Sequence, residues 1–87
     1  MVLTQEEYDA KFKKISEELA VLFHTKNTDY GAAYFKEENA ADWHYELKRK
    51  YIRLQEIIKN DGPRDAKKET LVDIAVYSIM ELIRMGE

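Results

Sequence analysis

Apolar residues recur along this chain at steps of three and four, the period of one face of an α-helix. Tyr8, Phe12, Ile15, Leu19 and then Leu22 or Phe23 set out the first such stripe, and Thr4 with Glu7 three positions on forms a capping box ahead of it. The pattern predicts an amphipathic helix from about Gln5 to about Lys26, with Glu6, Lys13 and Glu17 on its solvated side. Asp42, a good N-cap, predicts the start of a second helix through "WHYELKRKYIRLQEIIKN", with Leu47, Tyr51, Leu54 and Ile58 on one stripe. Gly62 and Pro63 in "NDGPRD" stop it, and a third helix follows from about Asp65 to Arg84, its early carboxylates suiting the positive end of the helix dipole.

Nothing in the pattern reads as a strand, a repeat or a low-complexity segment. The expected fold class is therefore all-α, a single domain over residues 1–87 with three main helices in a bundle completed by oligomerisation. Between the first two helices an irregular connection is expected from Thr28 to Asp42, and a loop of that length in so small a domain is often functional or holds a short fourth helix.

The third helix says most about assembly. Leu71, Ile74, Ala75, Ser78 and Leu82 form one apolar stripe, and Val72, Val76, Ile79 and Ile83 form a second beside it. That arc is wider than one surface helix of a three-helix monomer needs. An 87-residue chain is also near the size at which one chain struggles to bury a sufficient core. A homodimer or higher homo-oligomer is the simplest resolution.

Composition narrows the chemistry. Hydrophobic residues are 45% and charged residues 36% of the chain, a globular balance with no apolar run approaching the ~18 residues of a membrane span. The opening "MVLTQEEYDA" has neither a basic nor an apolar leader region, so the chain reads as cytoplasmic. The absence of cysteine removes disulfides, thiolate nucleophiles and zinc-finger spacings. A net charge of −3 disfavours nucleic acid as a main partner. His24 and His44 have no partner histidine at ligand spacing, and Trp43 reads as an anchor for the entrance to the second helix.

Carboxylates remain. Glu69 and Asp73 lie four apart, one turn above the other on the face that also holds Tyr77, Met80 and Arg84, where a hydrated divalent cation could bridge them. A solvated acidic edge is the plainer reading of the pair. Asp73, however, leads directly into "IAVYSIM", and a carboxylate at such a site needs a cation or several donors. On the second helix Glu46, Lys50 and Arg53 fall on one flank. They form either a Glu46–Lys50 ion pair with Arg53 snorkelling, or a cationic clamp for phosphate, and both readings put Arg53 near the Asp73 side. "HTKNTDYGAAY", His24 to Tyr34, is either a turn built on Asn27, Asp29 and Gly31, or a polar loop in which Tyr30 stacks on a base while Lys26 and Asn27 reach phosphate or sugar.

Three blocks, "KNTDYG", "LKRKYIRL" and "ETLVDIAVY", taken in that order across about residues 20–80, resemble the nucleotide-modification-associated domain 1 family, often carried by phages and bacteria. That family is similar to the all-α nucleoside-triphosphate pyrophosphatase superfamily. The resemblance implies a nucleotide or nucleotide-like ligand, Mg²⁺ as cofactor, and sites on matching positions. Lys26, Asn27, Asp29, Tyr30 and Gly31 would form the ligand-facing loop, Lys50 and Arg53 the basic positions, and Glu69 and Asp73 the metal ligands. The chain departs from the catalytic pattern in having no ExxE pair on the second helix, and Arg49 stands where relatives tend to carry an acid. Whether such a protein hydrolyses anything is left open. The alternative is a helical interaction module whose wide third helix serves assembly, with no small-molecule ligand.

Overall fold

The structure, a computed structural model, describes the backbone of residues 2–29 and 40–86 and the side chains of residues 2–25 and 44–86. It is all-α: helices α1 (Gln5–Asp29), α2 (Ala40–Lys59) and α3 (Arg64–Arg84), with no strand among the described residues. The chain divides into two compact units, Met1–Tyr34, which holds α1, and Phe35–Glu87, which holds α2 and α3.

The start of α1 is the capping box expected from Thr4 and Glu7. The Thr4 amide and hydroxyl donate to Glu7 Oε1 at 3.1 and 3.0 Å, and the Glu7 amide donates to Thr4 Oγ1 at 3.2 Å. These bonds satisfy amides that no preceding turn can reach. Thr4→Ala is expected to cost about 1 kcal/mol of α1 stability, seen as faster amide exchange over the first turn with the centre of the helix unchanged; equal exchange in both proteins would remove the cap from the account. The helix runs further than the apolar stripe implies, because Lys26, Asn27, Thr28 and Asp29 continue it instead of opening the loop. None of the four is a helix breaker, and propensity lets the turn persist after the stripe ends.

The second helix begins earlier than expected. Ala40 and Ala41 are already helical, so Asp42 is inside the first turn rather than at the N-cap. Alanine has the highest helix propensity, which lets the helix extend backwards past its acid. The expected Thr28–Asp42 connection shrinks from both ends accordingly. Residues 30–39, and with them Tyr30, Gly31 and the suggested short fourth helix, lie outside the described residues.

A four-residue turn joins α2 to α3. The Gly62 amide donates to the Ile57 carbonyl at 2.8 Å and the Asp61 amide to that of Ile58 at 3.3 Å, the paired bonds of a Schellman ending. The left-handed residue is Asp61, at φ 49°, rather than a glycine. Gly62 has a different duty: a Cβ there would stand 3.1 Å from Ile57 Cγ2 and 3.3 Å from the Ile57 carbonyl oxygen, so the glycine permits the close return of the chain. Pro63 then takes the N-cap position of α3 with no side-chain cap, and Asp65 sits in the first turn, where its charge complements the dipole.

The two helices of this hairpin pack along a seam. On α2 the half-buried positions are Glu46, Leu47, Lys50, Leu54 and Ile57, while Tyr51 and Ile58 are 55% and 58% exposed. The seam thus keeps Leu47 and Leu54 of the expected Leu47–Tyr51–Leu54–Ile58 stripe and takes Lys50 and Ile57 in place of Tyr51 and Ile58, a turn of roughly 60°. A lysine stem is apolar along its length, so Lys50 occupies a seam position that a hydrophobic count assigns to its neighbour Tyr51. Among the described residues no apolar side chain is fully buried; the one buried side chain is Thr70, at 2% exposure. Its hydroxyl donates back to the Ala66 carbonyl at 2.8 Å, so its polar atom is satisfied inside its own helix.

Candidate functional site

The α2–α3 seam carries the polar groups. Lys50 Nζ lies 3.0 Å from Asp73 Oδ2, with the side chains 14% and 20% exposed. The cation that Asp73 requires, placed as it is at the head of "IAVYSIM", is thus supplied by α2. At that degree of burial water screens the pair poorly, and each charge depends on the other to offset its lost hydration.

One turn along α3, Tyr77 is half-buried and close enough to Arg49 to act on it electrostatically. Arg49 is held by Glu46, Nη2 to Oε2 at 2.8 Å, and this hydrogen bond and charge raise the guanidinium above its ordinary range. A further turn on, Glu81 accepts a bidentate pair from Arg84, Nε to Oε2 at 2.8 Å and Nη2 to Oε1 at 2.6 Å. That hydrogen bonding first, then the charges of Arg84 and of His44 on α2, holds the Glu81 carboxyl below its usual value. Across the α2–α3 contact, then, Lys50 pairs with Asp73, Arg49 lies within electrostatic reach of Tyr77, and His44 within electrostatic reach of Glu81.

Several expectations change here. Glu46 does not pair with Lys50: it holds Arg49, three residues away, which frees Lys50 to reach across to Asp73. Arg53 is exposed, and the cation beside Asp73 is Lys50. The turn of the seam on α2 is what carries residue 50 inward. Glu69 is exposed one turn before Asp73 on α3. Lys26, Asn27 and Asp29 belong to the last turn of α1, their side chains outside the described residues, as Tyr30 and Gly31 are entirely. A ligand role for those five rests on the resemblance alone.

Sequence reasoning passed over Thr70, Arg49 as the partner of Glu46, and the approach of His44 to Glu81. The Arg49–Glu46 spacing of three was readable as a helical ion pair. Which of Arg49 and Lys50 turns inward was not, because both are long cations on adjacent positions.

Glu69 and Asp73 form a two-carboxylate edge, and among the described residues no group of three or more His, Cys, Asp or Glu could hold a metal ion. Such an edge fits a Mg²⁺ that keeps most of its shell as water and phosphate oxygen, since that ion takes one or two carboxylates beside substrate phosphates. It does not fit an all-protein cage. No described helix is long and apolar enough to cross a membrane. Comparison with family models, with curated proteins and with solved structures finds no match to this chain.

Proposed function

We propose that this chain is a small cytoplasmic nucleotide-handling protein that binds a nucleoside phosphate with Mg²⁺ at the Lys50–Asp73 site and works as a homo-oligomer. The half-buried Lys50–Asp73 pair carries the reading, because it sets a cation and a carboxylate side by side in a poorly hydrated place, with a second carboxylate, Glu69, one turn away on the same helix. Asp73 and Glu69 would hold the metal, which supplies charge neutralisation to the phosphates. The Lys50 ammonium, displaced from Asp73 by the incoming cation, meets phosphate oxygen as a compact point charge. The resemblance to the nucleotide-modification-associated domain 1 family points the same way. Hydrolysis would need more acids than this edge provides, and Glu46, the nearest addition on α2, is engaged by Arg49.

Isothermal titration with a panel of nucleoside and deoxynucleoside triphosphates tests the proposal. Binding is expected to be tighter with Mg²⁺ than with chelator, and Asp73→Asn is expected to abolish the difference, since an amide keeps the shape of the carboxylate but not the charge a hard cation needs. A flat titration for every nucleotide in both conditions sinks it. The second reading, a helical assembly module without a small ligand, then stands on the observation that the described residues include no fully buried apolar side chain.

A further inference from the structure

In the Lys50–Asp73 contact Nζ lies 3.0 Å from Oδ2, and the side chains are 14% and 20% exposed, so either charge left alone there is costly. A divalent cation taking the Asp73 carboxylate leaves the Lys50 ammonium in need of another anion. The neighbours one turn away on α2 do not supply it. Glu46, four residues back, is already held by Arg49 at 2.8 Å, Leu47 and Leu54 are apolar, and Arg53 carries like charge. On α3, Glu69 is the acid one turn before Asp73, and it is the second carboxylate the same cation would take. The opposite case fails in the same way. A phosphate that takes the ammonium alone stands beside the Asp73 carboxylate, anion against anion.

Resting on the nucleoside-phosphate reading above, we propose that Lys50 couples the two halves of the ligand: the site takes Mg²⁺ and phosphate cooperatively, as a metal–phosphate complex, and takes either alone poorly. With both present the charges alternate, Asp73 carboxylate to cation, cation to phosphate, phosphate to Lys50 ammonium, and each partly buried group keeps an opposite neighbour. The coupling is reciprocal, since whatever factor phosphate contributes to Mg²⁺ affinity, Mg²⁺ contributes to phosphate affinity. In the ligand-free chain the ammonium is a tethered cation at the carboxylate a metal would use. A tethered charge acts at high effective concentration, so Mg²⁺ alone competes at a disadvantage until phosphate draws Lys50 away. The ligand class narrows accordingly to phosphate esters that carry their own divalent cation; an unphosphorylated nucleoside has no anion to draw the ammonium off.

Isothermal titration of the full chain with Mg²⁺ and with inorganic phosphate, each alone and each in the presence of the other, tests the coupling; inorganic phosphate pairs only weakly with Mg²⁺ in solution, so the cooperativity read is that of the protein. In the wild type each should tighten the other by about tenfold or more. Lys50→Gln removes the charge and keeps a donor, so Mg²⁺ alone should bind this variant about tenfold more tightly than the wild type, with a smaller gain from phosphate. Should the variant be partly unfolded, Mg²⁺ alone should restore its helical circular dichroism, because the metal replaces the missing ammonium at Asp73 and stabilises the folded form. Mg²⁺ affinity in the wild type that is the same with and without phosphate overturns the inference. So does a Lys50→Gln chain that binds Mg²⁺ alone no better than the wild type, or an unfolded one that Mg²⁺ does not restore. These results leave the proposed nucleotide binding standing wherever triphosphates still bind more tightly with Mg²⁺ than with chelator, whereas a chain that binds no nucleotide in either condition ends both.

Discussion

Lys50→Met is expected to lower stability by about 2 kcal/mol, and so the melting temperature by roughly 10 °C in a domain of this size. Methionine retains the apolar stem that lies along the seam and removes only the ammonium, leaving the Asp73 carboxylate at 20% exposure without the cation 3.0 Å away. An exposed ion pair would cost ~1 kcal/mol or less, so the size of the loss reports how far the pair is withdrawn from water. The double variant Lys50→Met with Asp73→Leu should recover most of it, since two apolar groups of similar volume carry no stranded charge. Chemical denaturation of the four proteins completes the cycle. A single-variant loss below ~0.5 kcal/mol would make the pair a surface contact and remove its claim to a special environment.

Thr70 should give the sharpest contrast between two substitutions at one position. Its side chain is 2% exposed, and its hydroxyl is already satisfied by the Ala66 carbonyl within α3. Thr70→Val keeps the branched shape and removes donor and acceptor demands together, and is expected to change stability by less than about 1 kcal/mol. Thr70→Leu forces extra volume and a different branch point into the tightest place on the seam, at an expected loss of about 1–3 kcal/mol. The two melting curves decide it. Equal tolerance of both would mean that the helices separate easily at Thr70 and that the seam is loosely packed.

The helices were legible because their signals are local and redundant: a capping box at Thr4 and Glu7, apolar steps of three and four, and a Gly-Pro stop. Their ends were less so. Lys26–Asp29 and Ala40–Asp42 are helical because nothing in them prevents it, and a pattern of apolar positions is silent where apolar positions run out. At the site, the sequence marked Lys50, Glu69 and Asp73 and reasoned correctly that Asp73 needs a cation. It looked for a metal ion or for donors on the second helix, with Arg53 on the Asp73 side, and the structure puts Lys50 beside Asp73. The difference at Lys50 is a turn of α2 by roughly 60° from the expected stripe, and a lysine that packs as a hydrophobe leaves no trace in a hydrophobic count. The buried Thr70 was invisible for a similar reason, since a small polar residue is marked as buried only by the helix that lies over it.

The Lys50–Asp73 contact also decides how α2 and α3 slide along each other. Leu47, Leu54 and Ile57 are interchangeable enough that an apolar seam alone would accept a displacement of one helical turn, about 5.4 Å. With the pair in place the displaced alignments are penalised in both directions. Moving α2 by four residues one way sets Asp73 opposite Glu46, a second carboxylate, and moving it the other way sets Asp73 opposite Leu54, which takes the Lys50 cation from beside the charge. This polar contact therefore favours one register among alignments that the apolar positions leave nearly degenerate.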